Sequence, residues 1–312
     1  MFRKMMVQTF VLHFLNINAM ILVTTPTGKT GSLITKDLVE KGHQVKVFVR
    51  YPNKIPIELH SKLQIAKGSL LDGDSFEKAL QGCDTLYFCI PETNTQDNVF
   101  SYYENFASIA QNAIKASQVE KVVFVSGGGK GTTLNAGVSS ALHQAEDILA
   151  QSGVALKALR CPVFFESILH QIEAIKEMGM FFLPFDGNYK APQVAVKDIT
   201  QQAVKWLSDT SWKGVSGVGV HGAADISYNE IADTLSKVLQ KPIRFQNVPK
   251  ERYIQTLVSI GSTPAFATEL VNMYDAIQMG LFKAEPRTGE TTTPTTFESW
   301  AEEIFFPIYQ QQ

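Results

Sequence analysis

Met20-Ile21-Leu22-Val23-Thr24-Thr25-Pro26-Thr27-Gly28-Lys29-Thr30-Gly31 is a short apolar run that ends in a tight turn with two glycines. The amphipathic spacing that follows predicts a helix from Ser32 to Lys41. A strand that feeds a helix N-terminus through such a turn leaves backbone N–H groups unpaired at the positive end of the helix dipole. This arrangement suits a phosphate group.

Two phosphate-bearing ligands compete for the turn. Gly28-Lys29-Thr30 resembles part of a triphosphate loop, but that loop needs a glycine five positions earlier, where this chain has Val23 inside the strand. A dinucleotide turn of the form Gly-x-Gly-x-x-Gly, or its Gly-x-x-Gly-x-x-Gly variant, keeps two of its three glycines here, Gly28 and Gly31. Those two allow close approach to the pyrophosphate and close helix packing. The binding residues expected in the turn are therefore Thr25, Pro26, Thr27, Gly28, Lys29, Thr30 and Gly31.

Working outward, buried strand-like runs alternate with amphipathic segments. His43–Arg50, Leu63–Ala66, Thr85–Ile90, Lys121–Ser126 and Ala155–Arg160 read as strands, and helices are expected near 55–62, 74–81, 98–118 and 139–151. This rhythm predicts an α/β fold of the Rossmann type, a doubly wound parallel sheet covered on both faces. Beyond about residue 162 the rhythm loosens into a helix over 164–178, shorter pieces, and Ser227 as a helix N-cap with Glu230 in capping-box position. We expect an extension over 1–19, a dinucleotide-binding domain over 20–162 and a smaller substrate or lid lobe over 163–312.

Ligands on such sheets sit at the carboxyl ends of the strands. Besides the turn, those ends carry Arg50, Ser69 and Leu70, Ile90 and Pro91, Ser126, and Pro162. An NAD-binding chain usually ends its second strand with a carboxylate that bonds the ribose hydroxyls and repels a 2′-phosphate. Here the residue is Arg50, with Lys54 one turn on, so the expected cofactor is NADP(H).

The bulk composition narrows the partners. The chain has 312 residues, a net charge of −2 and no basic run, so nothing favours nucleic acid. Met5 to Asn18 is apolar but too short to span a bilayer, and no other stretch is a membrane candidate, so a cytoplasmic protein is expected. Cys83, Cys89 and Cys161 have no metal-type spacing.

Several stretches together resemble the atypical short-chain dehydrogenases of the NmrA-like group. These are Val23 to Gly31, Val49-Arg50-Tyr51-Pro52-Asn53-Lys54, Gly68-Ser69-Leu70-Leu71-Asp72, His143-Gln144-Ala145-Glu146, Ser152-Gly153-Val154 and Leu159-Arg160-Cys161-Pro162-Val163-Phe164-Phe165-Glu166-Ser167. Tyr274-Asp275-Ala276-Ile277 is similar to the C-terminal lobe of the triphenylmethane and quinone reductases of this group, and the Gly-Lys-Thr loop is similar to festuclavine-type dehydrogenases. The resemblance implies an NADP(H)-binding oxidoreductase. Thr25 stands where the group has glycine, and Ser69 where it has an acid that reaches the adenine.

Ordinary short-chain dehydrogenases use Tyr-x-x-x-Lys, and none of the nine tyrosines has lysine four residues on. The match puts His143 at the lysine position, and His143 and Ser126 are the candidate polar groups beside the nicotinamide. Reducing a simple ketone leaves an alkoxide that needs a matched acid. A quinone, an iminium ion or a dye cation needs positioning more than acid. The expected activity is hydride transfer to an aromatic or conjugated small molecule, with Phe164, Phe165 and Met178–Phe182 as candidate pocket lining. The alternative is a non-catalytic NADP(H) sensor acting through a protein partner.

Overall fold

A computed structural model describes residues 19–311, so most of the expected extension lies outside the described residues. The first half runs β1 (Met20–Thr24), α1 (Lys29–Glu40), β2 (Gln44–Val49), β3 (Gln64–Lys67), α2 (Gly73–Leu80), β4 (Thr85–Phe88), α3 (Val99–Lys115), β5 (Lys121–Gly127), α4 (Val138–Ala150) and β6 (Ala155–Cys161). Then follow β7 (Val163–Phe164), α5 (Ile172–Met178), β8 (Met180–Leu183), β9 (Ala191–Val194), α6 (Val196–Ser208) and β10 (Val215–Gly219). The chain ends with β11 (Asp225–Ile226), α7 (Tyr228–Leu239), β12 (Arg244–Asn247), α8 (Lys250–Ser259), α9 (Pro264–Gln278), α10 (Phe297–Trp300) and α11 (Phe306–Gln311).

Seven parallel strands form the main sheet in the order β10-β6-β5-β4-β1-β2-β3. This is the Rossmann-type doubly wound arrangement, and the order reverses between β1 and β4, the switch point at whose carboxyl edge such sheets bind ligands. Alternation along the strands fills both faces. Ile21, Val23, Tyr87 and Val123 pack under α1 and α6, while Leu22, Phe88 and Phe124 pack under α2, α3 and α4. On the second face the rings of Phe48, Phe76, Phe88 and Phe124 form a ladder with centroids 5.3, 6.1 and 5.9 Å apart. Removing one such fully buried ring costs about 3–5 kcal/mol.

β10 and α6, from the second half of the chain, return to this sheet; the other late elements build two small sheets, β11-β9-β7 and β12-β8, and a third core around Phe181, Tyr228, Tyr274, Trp300 and Phe305. The capping box on α7 is present. Ser227 Oγ accepts from Glu230 N at 3.2 Å, and Glu230 Oε2 accepts from Ser227 N at 2.9 Å.

Two expected helices differ. Over 55–62 there is only a single 3-10 turn, Ile57–Leu59, because Pro56 holds Ile55 in extended backbone. The helix expected over 164–178 begins as β7 and a tight 3-10 segment, Phe165–Gln171, and only then becomes α5. Gly179, left-handed at φ 66°, ends α5 and releases Met180–Leu183 as a strand. Phe165 and Phe181 are therefore core residues, and Met178 is exposed.

Candidate functional site

β1 ends at Thr24, whose hydroxyl donates to the Tyr87 carbonyl at 3.0 Å and accepts from Cys89 N at 3.1 Å. These bonds tie the turn to the exit of β4. Thr25 follows with φ +48°, a left-handed conformation that a β-branched residue adopts only at a cost. Its carbonyl accepts from Gly28 N at 2.9 Å, and any Cβ on Gly31 would stand 2.2 Å from the same oxygen. Gly31 is thus fixed by turn packing. Gly28 caps α1 without a side-chain cap, which leaves the first-turn N–H groups for an anion. Thr27 and Lys29 are exposed, while Pro26 and Thr30 are buried. Thr30 turns inward, where its Oγ1 accepts from the Tyr87 hydroxyl at 2.7 Å.

At the end of β2, Arg50 and Lys54 are exposed. The Arg50 guanidinium carbon lies 5.9 Å, and the Lys54 ammonium 5.4 Å, from the centroid of the Tyr51 ring between them. Neither forms a salt bridge among the described residues. At the end of β3, the Ser69 hydroxyl accepts from Leu71 N at 3.3 Å, and Leu70 is buried. The turn of α1 and this cation pair are the two anchors a phosphorylated dinucleotide needs, so the residues present fit the group.

The carboxyl ends of β4, β5 and β6 are more heavily engaged. Ile90 is buried, and the Pro91 carbonyl accepts from the Tyr102 hydroxyl at 2.9 Å. Ser126 Oγ, buried at the end of β5, donates to Glu146 Oε2 at 2.8 Å. Arg160 donates to both oxygens of Glu146, at 2.7 and 3.3 Å, and to Glu285 Oε1 at 3.1 Å. The second oxygen of Glu285 accepts from Gly129 N at 2.8 Å. Burial pushes the Glu285 carboxyl up, opposed by that N–H and by Arg160.

His143 Nε2 lies 3.0 Å from the Gly127 carbonyl and 3.1 Å from that of Gly128. Two carbonyls can only accept, so Nε2 carries the proton. Burial holds the His143 pKa below its ordinary value. Ser126 at the end of β5 and His143 on α4 thus each spend a proton on the fold. Pro162 follows β6 and is buried. The glycines of that turn are set by packing: a Cβ on Gly128 would stand 2.6 Å from the Phe282 ring, and one on Gly129 would stand 2.4 Å from Leu281.

The sequence assigns no role of their own to Arg160, which stands in a matching stretch, or to Glu285. Arg160 ends an ordinary apolar strand, and Glu285 lies 125 residues away in a loop with no pattern of its own. A carboxylate in that loop gives no local signal.

Residues 26–210 match the model of an NAD(P)H-binding family. An NAD(P)H azoreductase from Xenophilus azovorans is 25% identical over 256 residues, covering 82% of this chain and 86% of that protein. An NADPH-dependent quinone oxidoreductase from Escherichia coli, solved with NADPH, superposes with a TM-score of 0.77 at 22% identity, covering 91% of this chain and 99% of that one. A triphenylmethane reductase from Citrobacter sp., solved with NADP(H), gives a TM-score of 0.74 at 16% identity, covering 90% and 98%. At these identities the structural likeness shows the fold. No helix among the described residues is long and apolar enough to cross a membrane.

Proposed function

This chain belongs to the NAD(P)H-binding family, and from that premise we propose that it is an NADPH-dependent oxidoreductase that delivers hydride to an electron-poor conjugated acceptor such as a quinone, an azo compound or a dye cation. The exposed pair Arg50 and Lys54 supports the choice of NADPH, because a 2′-phosphate would meet two cations and no carboxylate. One observation carries the choice of acceptor. Both polar side chains at the nicotinamide end, Ser126 and His143, already donate to partners within the fold. No acid stands ready there for an alkoxide, so acceptors that need only placement are favoured. The reductases named above act on acceptors of this kind by their names.

The test is a titration with NADPH and NADH, followed by turnover of a quinone, an azo compound, a dye cation and a simple ketone. We expect NADPH to bind at least tenfold tighter and the ketone to be the poorest acceptor. A ketone reduced as fast as the quinone overturns the acceptor class. The commitment of Ser126 and His143 also fits a second reading, an NADP(H) sensor acting through a protein partner, and tight NADPH binding with no turnover of any acceptor would select it.

A further inference from the structure

Tyr51 stands in the open, 56% exposed, between the two cations at the end of β2. A lone exposed ring is ordinary on a protein surface. This one has the Arg50 guanidinium carbon 5.9 Å and the Lys54 ammonium 5.4 Å from its centroid. No carboxylate pairs with either cation among the described residues.

The backbone fixes this arrangement. Val49 and Ile55 are buried in one core, so residues 50–54 form a short arch pinned at both ends. Within the arch Tyr51 caps the 3-10 turn Pro52–Lys54. Its carbonyl accepts from Lys54 N at 3.0 Å, and the Pro52 carbonyl accepts from Ile55 N at 3.1 Å. Pro52 opens the turn, where its ring pre-sets the backbone angle. Lys54 is thereby returned to the tyrosine one turn after the chain has left it.

Two like charges gathered at one place repel each other, and long exposed side chains are costly to order. A carboxylate between them would hold both but would cancel their charge and repel a phosphate. An aromatic face attracts cations through its quadrupole and leaves their charge intact, an effect worth about two- to fivefold per cation at an exposed site. A guanidinium that lies on a ring by its flat face keeps its N–H edge free for an anion, and an ammonium keeps N–H groups free as well.

We propose that Tyr51 is a positioning residue for cofactor selection, its ring holding Arg50 and Lys54 together as a ready-made two-cation seat for the 2′-phosphate of NADPH. The inference rests on the NADPH reading above. The role belongs to the ring face and not to the hydroxyl. A dinucleotide without the 2′-phosphate gains nothing from the seat, so the ring contributes to the affinity for NADPH and not to that for NADH.

The test measures dissociation constants of NADPH, NADH and the fragments 2′,5′-ADP and 5′-AMP for wild type, Tyr51→Phe and Tyr51→Leu. Tyr51→Leu is expected to weaken NADPH and 2′,5′-ADP about tenfold and to leave NADH and 5′-AMP within twofold. Tyr51→Phe, which keeps a ring, should stay within twofold of wild type for all four. In an Arg50→Ala/Lys54→Ala background, Tyr51→Leu should add less than about twofold, because the ring acts through the cations. Equal weakening of all four ligands by Tyr51→Leu would make the ring a contact for the part that the two dinucleotides share. No weakening would make it idle, and an equal loss in Tyr51→Phe would move the role to the hydroxyl. Each of these three results overturns the proposal. If wild type binds NADPH no better than NADH, the NADPH reading fails and the proposal falls with it. Discrimination that survives undiminished in Tyr51→Leu leaves that reading standing and removes the ring alone.

Discussion

Arg50 and Arg160 stand at the carboxyl ends of two strands in one sheet, and their environments are opposite. Arg50 is exposed, leans on a tyrosine ring and pairs with no carboxylate among the described residues. Arg160 is mostly buried and holds Glu146 and Glu285 together. A third case, His221, follows β10 at the same edge, 1% exposed, with neither ring nitrogen bonded among the described residues. The difference teaches how to read a charge at a strand end. A cation already paired with buried carboxylates serves the fold, one left open in water is available to a ligand, and a buried basic group without a partner stays neutral.

The comparison breaks most clearly at Arg160. Arg160→Met leaves two buried carboxylates without their cation, and we expect a loss of about 3–5 kcal/mol in urea unfolding. A loss below about 1 kcal/mol would show that the cluster is solvated and structurally idle.

His221 gives the next largest effect. Burial, with Arg287 nearby, pushes its pKa down to about 4 from 6.5. The unfolded chain therefore binds the proton more readily between those values. The contribution is whole above pH 6.5 and is lost as pH falls toward 4, by roughly 3 kcal/mol. Unfolding of His221→Phe across this window should lack that part of the slope.

Arg50→Ala should leave unfolding within about 0.5 kcal/mol of wild type, as expected for an exposed side chain. It should raise the dissociation constant of NADPH about 10- to 100-fold, the loss of a charge-assisted phosphate contact. The NADH constant should stay within twofold, and equal losses for both cofactors would remove the distinction from Arg160. The smallest effect is expected at Thr25, where the left-handed backbone costs on the order of 1 kcal/mol. Thr25→Gly should relieve that strain and tighten NADPH binding two- to fivefold, measured by the same titration.

The first lobe was legible because its signals are local. The run Ile21–Thr24, the glycines at 28 and 31, and Arg50 are each read within a few residues, and the doubly wound parallel sheet and the cation at the end of β2 follow from them. The resemblance to the NmrA-like group was carried by the same stretches, and family membership agrees with it. The second lobe was legible only in pieces such as the Ser227 and Glu230 cap. Pro56 broke the helix expected over 55–62, because apolar spacing alone does not weigh a single backbone restriction, and the one expected over 164–178 begins only at Ile172. Glu285 escaped notice for a different reason. Its role comes from a contact with a residue 125 positions away, which no local pattern can announce.

The bond between Arg160 and Glu285 also bears on how the molecule is made. During synthesis, Ser126, Glu146 and Arg160 can meet as soon as β6 has left the ribosome, and the parallel sheet can begin to close. Gly129 N and one arm of Arg160 then wait for a residue 125 positions downstream of Arg160. Until it arrives, the turn after β5 lacks its last acceptor and the strap that covers it. A nascent chain stopped before residue 285 would hold a largely formed sheet whose turn after β5 still lacks its carboxylate partner.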